Sequence, residues 1–94
     1  MKSIAEILTP EALDLPDKPR VERLDWRRAT DHIGDWSLFI NVVMPDDTPE
    51  ELLHWPYLAP LWEAIAAALR SEGYEEWPYC RYLTHSEWAE EKAA

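Results

Sequence analysis

Between Trp36 and Met44 the chain alternates, with apolar side chains in both registers: Trp36, Leu38, Ile40, Val42 and Met44 on one side, Ser37, Phe39, Asn41 and Val43 on the other. Strict alternation is the mark of a strand, in which successive side chains point to opposite faces. A strand that is largely apolar on both faces needs cover on both, so it is expected at the centre of a sheet. The chain then turns at Pro45-Asp46-Asp47, and Thr48-Pro49-Glu50-Glu51 supplies a cap, a first-turn proline and a capping-box acid in the order that opens a helix. Pro56 and Pro60 each lack a backbone donor, so the spacing predicts a short helix to about Trp55, a bend, and a second helix from near Pro60 to Gly73. Leu61, Ile65, Ala68 and Leu69 form its buried stripe with Trp62 alongside. The rest of the chain is expected to cover this strand and helix.

Ser3 with Glu6 has capping-box spacing ahead of Ile4, Ile7 and Leu8, which predicts a short first helix. Thr9-Pro10-Glu11 starts a further single turn through Leu13, and Pro16 and Pro19 force an extended connector. Val21 to Thr30 fits a strand with one wet face better than a helix, because Asp31-His32-Ile33-Gly34-Asp35 then makes a glycine-containing hairpin loop into Trp36. Tyr74 to Leu83 reads as a third strand, with Trp77, Tyr79 and Arg81 on one side and Cys80 and Tyr82 on the other. Pro78 places it at an edge or a bulge. Thr84 with Glu87 repeats the capping box and opens a terminal helix carrying Trp88, followed by a frayed polar tail.

The order α-β-β-α-β-α gives the α+β class: a small three-stranded, mainly antiparallel sheet with helices packed on one face. The expected strand order is 2-1-3, with the third strand beside the first. The whole chain, 1–94, is one domain, with a helical arm and connector over 1–20 and a helix and tail over 84–94, large enough for one core without staples.

Charge narrows the function classes. Nineteen acids against nine bases give a formal net charge of −10, and the surplus is uneven. Residues 1–44 carry eight acids and six bases, while 45–94 carry eleven acids and three bases. Direct binding to nucleic acid or anionic lipid needs a basic footprint, so neither is expected, and basic partners are favoured. The lone Cys80 forms no internal disulfide, which fits a reducing compartment such as the cytoplasm. No targeting or membrane-spanning pattern is read from the N-terminus or from the apolar run Ala64 to Leu69.

No motif in the chain names a reaction. Cys80 and His85 lack the paired spacing and third ligand that a metal needs, so no metal or other cofactor is expected. Asp31, His32 and Asp35 form a triplet of the kind polar loops produce by chance, and two glycines leave no phosphate-cradling loop. The expectation is a non-enzymatic protein. Its candidate partner-binding residues are the carboxylates Asp46, Asp47, Glu50, Glu51, Glu72, Glu75 and Glu76, and the aromatics Trp55, Tyr57, Trp77 and Tyr79, which offer large contact area with few rotors.

Carboxylates lined up along neighbouring elements would imitate the phosphates of a nucleic acid. The leading functional expectation is therefore an inhibitor that docks on a basic nucleic-acid-binding complex or nuclease and blocks its groove. Small acidic phage anti-restriction and anti-CRISPR proteins, and nuclease-immunity proteins, act in this general way; the analogy is one of size and charge, and no motif assigns the chain to those families. The alternatives are an adaptor that assembles, as a homodimer or with a partner, through an aromatic edge strand, and a small-molecule site near His54, Trp55 and Cys80.

Overall fold

The computed structural model describes residues 1–93. In chain order it contains α1 (Ile4–Ile7), β1 (Arg23–Thr30), β2 (Trp36–Met44), a 3-10 turn (Glu50–Leu53), α2 (Trp55–Ser71), β3 (Trp77–Thr84) and α3 (His85–Ala93). The fold is an α+β domain on a three-stranded mixed sheet. α3 runs through Ala93, so the polar residues Glu90, Glu91 and Lys92 belong to the helix and not to the frayed polar tail expected there, and Ala94 lies outside the described residues.

β2 is central, as its two apolar faces require, and the sheet order is β1-β2-β3, not 2-1-3. The hairpin pairs β1 antiparallel to β2, with Trp26 opposite Ile40, while β3 runs parallel to β2, with Cys80 opposite Ile40. The reason lies in α2 and in β1. The 17 residues of α2 span about 25 Å at ~1.5 Å per residue, close to the length of β2, so one pass returns the chain to the starting end of β2. There β3 finds the apolar flank of β2, whereas β1, carrying Arg23, Asp25, Arg27 and Arg28, is suited to an edge. A parallel neighbour joined through a helix is the βαβ unit.

The core lies between the sheet and α2. Leu38, Ile40, Val42 and Met44 of β2 are buried against Leu58, Leu61, Ile65 and Leu69 of α2, and Ile4, Ile7, Leu8 and Leu13 close the flank. Ser3 and Glu6 form the expected capping box on α1, with Glu6 N–H donating to Ser3 Oγ at 3.2 Å and Ser3 N–H to Glu6 Oε1 at 3.1 Å.

Two helix-start expectations are corrected. α2 is continuous through Pro60, without the bend and restart near that residue. Pro56 occupies the first turn, where a missing N–H costs nothing, and Pro60 faces solvent, so water meets the carbonyl it leaves unpaired. The capping box at Thr48 does not form. Thr48 donates its hydroxyl to Pro45 C=O at 2.6 Å, closing the turn after β2, and Pro49 precedes a 3-10 turn that has no side-chain cap.

The loop between β1 and β2 is organised by Asp31. Its Oδ1 accepts the Ile33 and Asp35 N–H groups at 3.0 Å each, and Gly34 takes the positive φ of 89° that the turn requires. Its Oδ2 accepts the Ser37 and Tyr79 hydroxyls at 3.3 and 3.2 Å, tying the hairpin to β3.

α1 and α2 lie on the face of the sheet that carries Leu38 and Ile40. α3 lies over the other face, so the helices cover both faces and not the single face expected. Its side chains reach residues that alternate onto that side: Glu91 to Arg81, Lys92 to Asp25, and Trp88 to Arg23 and Asp25. Beneath it Val43 and Leu83 are buried, although neither belongs to the main core cluster. α3 thus roofs one end of this second face and leaves the other end open.

Candidate binding surfaces

The structure brings the sequence-selected residues together as two groups, not one. Asp46, Asp47, Glu50, Glu51, Trp55 and Tyr57 lie where β2 ends and α2 begins. Glu72, Glu75, Glu76, Trp77 and Tyr79 lie where α2 ends and β3 begins, beside the start of β2. The parallel register puts the length of β2 between them, about 26 Å at ~3.3 Å per residue. The carboxylates therefore form two separate ends and no continuous ladder.

Within each group the acids differ in what they are free to do. Asp46 accepts the Ser86 hydroxyl at 2.6 Å and the Ser86 N–H at 2.8 Å, bonds that hold its carboxyl below the usual range and cap the start of α3. Glu76 pairs with Arg28 at 3.1 Å and Glu72 accepts the Lys2 N–H at 3.2 Å. Asp47, Glu50, Glu51 and Glu75 have no ion pair among the described residues, and all four are exposed.

The four selected aromatics are all exposed: Trp55 by 59%, Tyr57 by 46%, Trp77 by 50% and Tyr79 by 37%. Trp55 and Tyr57 stand in the first turn of α2, roughly 200° apart at ~100° per residue, so they leave the helix on opposite sides just after the free carboxylates in the chain. Trp77 packs against Trp62 with ring centroids 5.3 Å apart, and Tyr79 stacks on Phe39 at 5.3 Å and 14°.

A further surface involves residues that sequence reasoning had not selected. On the open part of the second sheet face lies a cleft of about 580 Å³, floored by Phe39 and Asn41 and walled by Arg27, Tyr79, Arg81 and Glu91. Arg27 holds its guanidinium 4.8 Å from the Phe39 ring centre. Arg81 grips Glu91 with two bonds of 2.6 Å, which raises the Arg81 pKa above its ordinary value. The alternation already put Trp77, Tyr79 and Arg81 on one side of the third strand. Adding Phe39, Asn41 and Arg27 required the order β1-β2-β3.

The outer edge of β3 is partly closed. Pro78 has no N–H to offer, and its carbonyl accepts the Trp62 indole N–H at 2.8 Å, so a strand approaching that edge meets neither donor nor free acceptor at this position. Cys80 turns toward the α2 face, where burial pushes its thiol up to about 11, the opposite of an activated nucleophile. His54 stands exposed at the start of α2, away from the cleft. In the loop, burial acts to raise the Asp31 carboxyl, but bonds from the Asp35 and Ile33 amides, Tyr79 and Ser37 outweigh it and leave the group below its usual value. Asp31 serves the turn. Among the described residues no three His, Cys, Asp or Glu side chains converge as a metal site would require, and no helix is long and apolar enough to cross a membrane.

Comparison of the chain with protein-family models, with curated proteins and with solved structures finds no match.

Proposed function

We propose that this domain is a non-enzymatic inhibitor that docks on a basic nucleic-acid-handling protein through the corner formed by Asp47, Glu50, Glu51, Trp55 and Tyr57. The observation that carries the reading is the pairing state of this corner. Its three carboxylates are exposed and without an ion pair among the described residues, and two exposed rings follow them in the first turn of α2. Grooves that bind nucleic acid are lined with Lys and Arg, which such carboxylates attract over a distance and the two rings hold face-on as cation–π partners. Asp46, Glu72 and Glu76 are occupied within the fold and are assigned to its architecture, which confines the contact to one end of the molecule. Assembly by strand addition at β3 is less favoured, because Pro78 and Trp62 close part of that edge.

The test is a pull-down from the native host at low and high salt, comparing the native chain with Glu50→Lys/Glu51→Lys and with Glu75→Lys/Glu90→Lys. Both double variants change the net charge equally, and the second leaves Asp47, Glu50, Glu51, Trp55 and Tyr57 untouched. Loss of a salt-released basic partner in the first variant alone, with unchanged circular dichroism, is the expected result. Equal loss in both would reduce the effect to overall charge, and retention in both would end the proposal.

A further inference from the structure

The open sheet face differs in sign from the rest of the molecule. Arg23, Arg27, Arg81 and Lys92, four of the chain's nine cations, stand on or beside it, against Asp25, Asp31 and Glu91. Their pairing is unequal. Lys92 lies 3.5 Å from Asp25 and Arg81 is held by Glu91, whereas Arg23 is spread over the Trp88 ring at 4.1 Å. Arg27 is exposed and has no ion pair among the described residues; its only partner is the face of Phe39.

The chain itself shows which group this face accepts. Glu91, carried in by α3, lies in the Arg81 fork in two-pronged geometry at the end of the cleft. Across β2, Arg27 offers the same fork without an occupant. Between the two lies the half-buried Asn41 carboxamide, with no hydrogen-bond partner among the described residues. A carboxamide carries one acceptor and two donors, the complement of a peptide group. Tyr79 stacks on the Phe39 ring and widens it into an apolar shelf.

We infer that the cleft is a docking site for an acidic peptide segment of a partner protein, with a carboxylate in the Arg27 fork, a peptide group on Asn41 and an aromatic side chain on the Phe39–Tyr79 shelf. Charge complementarity selects this occupant. Single-stranded nucleic acid would also use rings and arginines, but its repeated phosphates would run past Asp25, Glu91 and Asp31 on a protein of net charge −10. A segment with one or two carboxylates meets the cations without a long anionic tail. This surface is separate from the acidic corner, so the two readings stand or fall independently.

The experiment is a nitrogen-15 NMR titration of the full chain with acetyl-Asp-Phe-Glu-Phe-amide, its lysine counterpart acetyl-Lys-Phe-Lys-Phe-amide, and the oligonucleotide (dT)8. The acidic peptide is expected to move the Arg27 Nε–H, Asn41 side-chain and Tyr79 signals saturably, and Arg27→Ala to weaken it about tenfold. Arg27→Lys, which keeps the charge and loses the fork, should fall between. Four outcomes overturn the inference: shifts confined to residues 47–57, equal binding of the lysine peptide, unchanged affinity in Arg27→Ala, or tighter binding of (dT)8 through the same residues.

Discussion

Replacing Trp88 by Ala tests how α3 is held on the sheet and hence what shapes the cleft. No residue of α3 is fully buried, so the helix has little hydrophobic hold of its own. Trp88 is its principal anchor: its indole N–H donates to Asp25 Oδ2 at 3.2 Å, and Arg23 and Lys92 lie 4.1 and 5.4 Å from the ring centre. Removing a fully buried Trp costs about 3–5 kcal/mol, so this half-buried ring is worth roughly 2. The two exposed cation–π contacts contribute about 0.5–1 kcal/mol each and the indole bond about 1. These share one side chain and overlap, which sets the expected loss at about 2–3 kcal/mol.

For a domain whose total stability is of order 5–14 kcal/mol, that loss lowers the melting temperature by roughly 10–20 °C if α3 unfolds together with the sheet. Urea denaturation followed by circular dichroism gives the global change, and native-state amide exchange shows whether α3 has separated while α2 stays protected. Trp88→Phe keeps a ring for the cations and should lose only about 1 kcal/mol, mainly the Asp25 bond. A loss below about 1 kcal/mol in Trp88→Ala, with α3 amides still protected, would refute the account and leave Asp46–Ser86 and Arg81–Glu91 as the true ties.

Two other outcomes follow from titrating groups. The Cys80 thiol, pushed up to about 11 from 9.0 by burial, should react with iodoacetamide at pH 8 about a hundredfold more slowly in the native chain than in urea, from thiolate fraction alone; comparable rates would show that the thiol is not shielded as described. Glu6, Asp31, Asp46 and Glu87 all have carboxyls held below their ordinary values of 4.5 for Glu and 3.8 for Asp. The stability they contribute is complete above the unfolded carboxylate range and is lost as pH falls through the depressed folded values. The urea midpoint should be flat from pH 7 to 5.5 and fall below about 4.5, less steeply in Asp46→Asn; a midpoint constant down to pH 3 would contradict the capping roles of these groups.

The sequence made the elements legible wherever one local rule acted alone. Alternation from Trp36 to Met44 found β2, the pairs Ser3–Glu6 and Thr84–Glu87 found two helix starts, and Gly34 found the hairpin loop. It failed where two rules competed. Thr48 had the spacing of a cap, but the 3-10 turn begins one residue later with Pro49 at its cap position, and the Thr48 hydroxyl donates back to the Pro45 carbonyl and closes the turn after β2. Pro60 had the chemistry of a helix breaker, but on a solvent-facing position early in α2 it removed one bond and did not end the helix. The strand order was misjudged although its determinant was visible, since a centre fit for β2 excludes an order that sets it at the edge. Of the candidate surfaces, the rings beside prolines were legible as candidate anchors, but their exposure was not, because the same residue types serve a core and only the packing decides. The cleft was not, because it is assembled from alternate residues of three strands whose adjacency no local pattern encodes.

Net charge alone overstates the acidic field available to a partner. Glu6 and Glu87 close capping boxes, Asp31 holds a loop and Asp46 caps α3. Glu22 lies 2.9 Å from His85, and Asp25, Glu76 and Glu91 are paired with Lys92, Arg28 and Arg81. Carboxylates already bonded to amides or cations have little left to exchange with an incoming lysine or arginine, since breaking the internal bond offsets the new one. The carboxylates without such bonds decide where attraction acts. Among the sequence-selected acids, Asp47, Glu50 and Glu51 fall within five residues at one end, while Glu75 stands alone in its group at the other. An array that copies duplex phosphates needs regularly spaced free charges along a surface, and two ends about 26 Å apart with structural acids between them do not supply it. A compact acidic corner does not need that regularity. It needs a pocket of cations on the partner and rings to exclude water around them, and the chain places both of its own contributions within the segment from Asp47 to Tyr57.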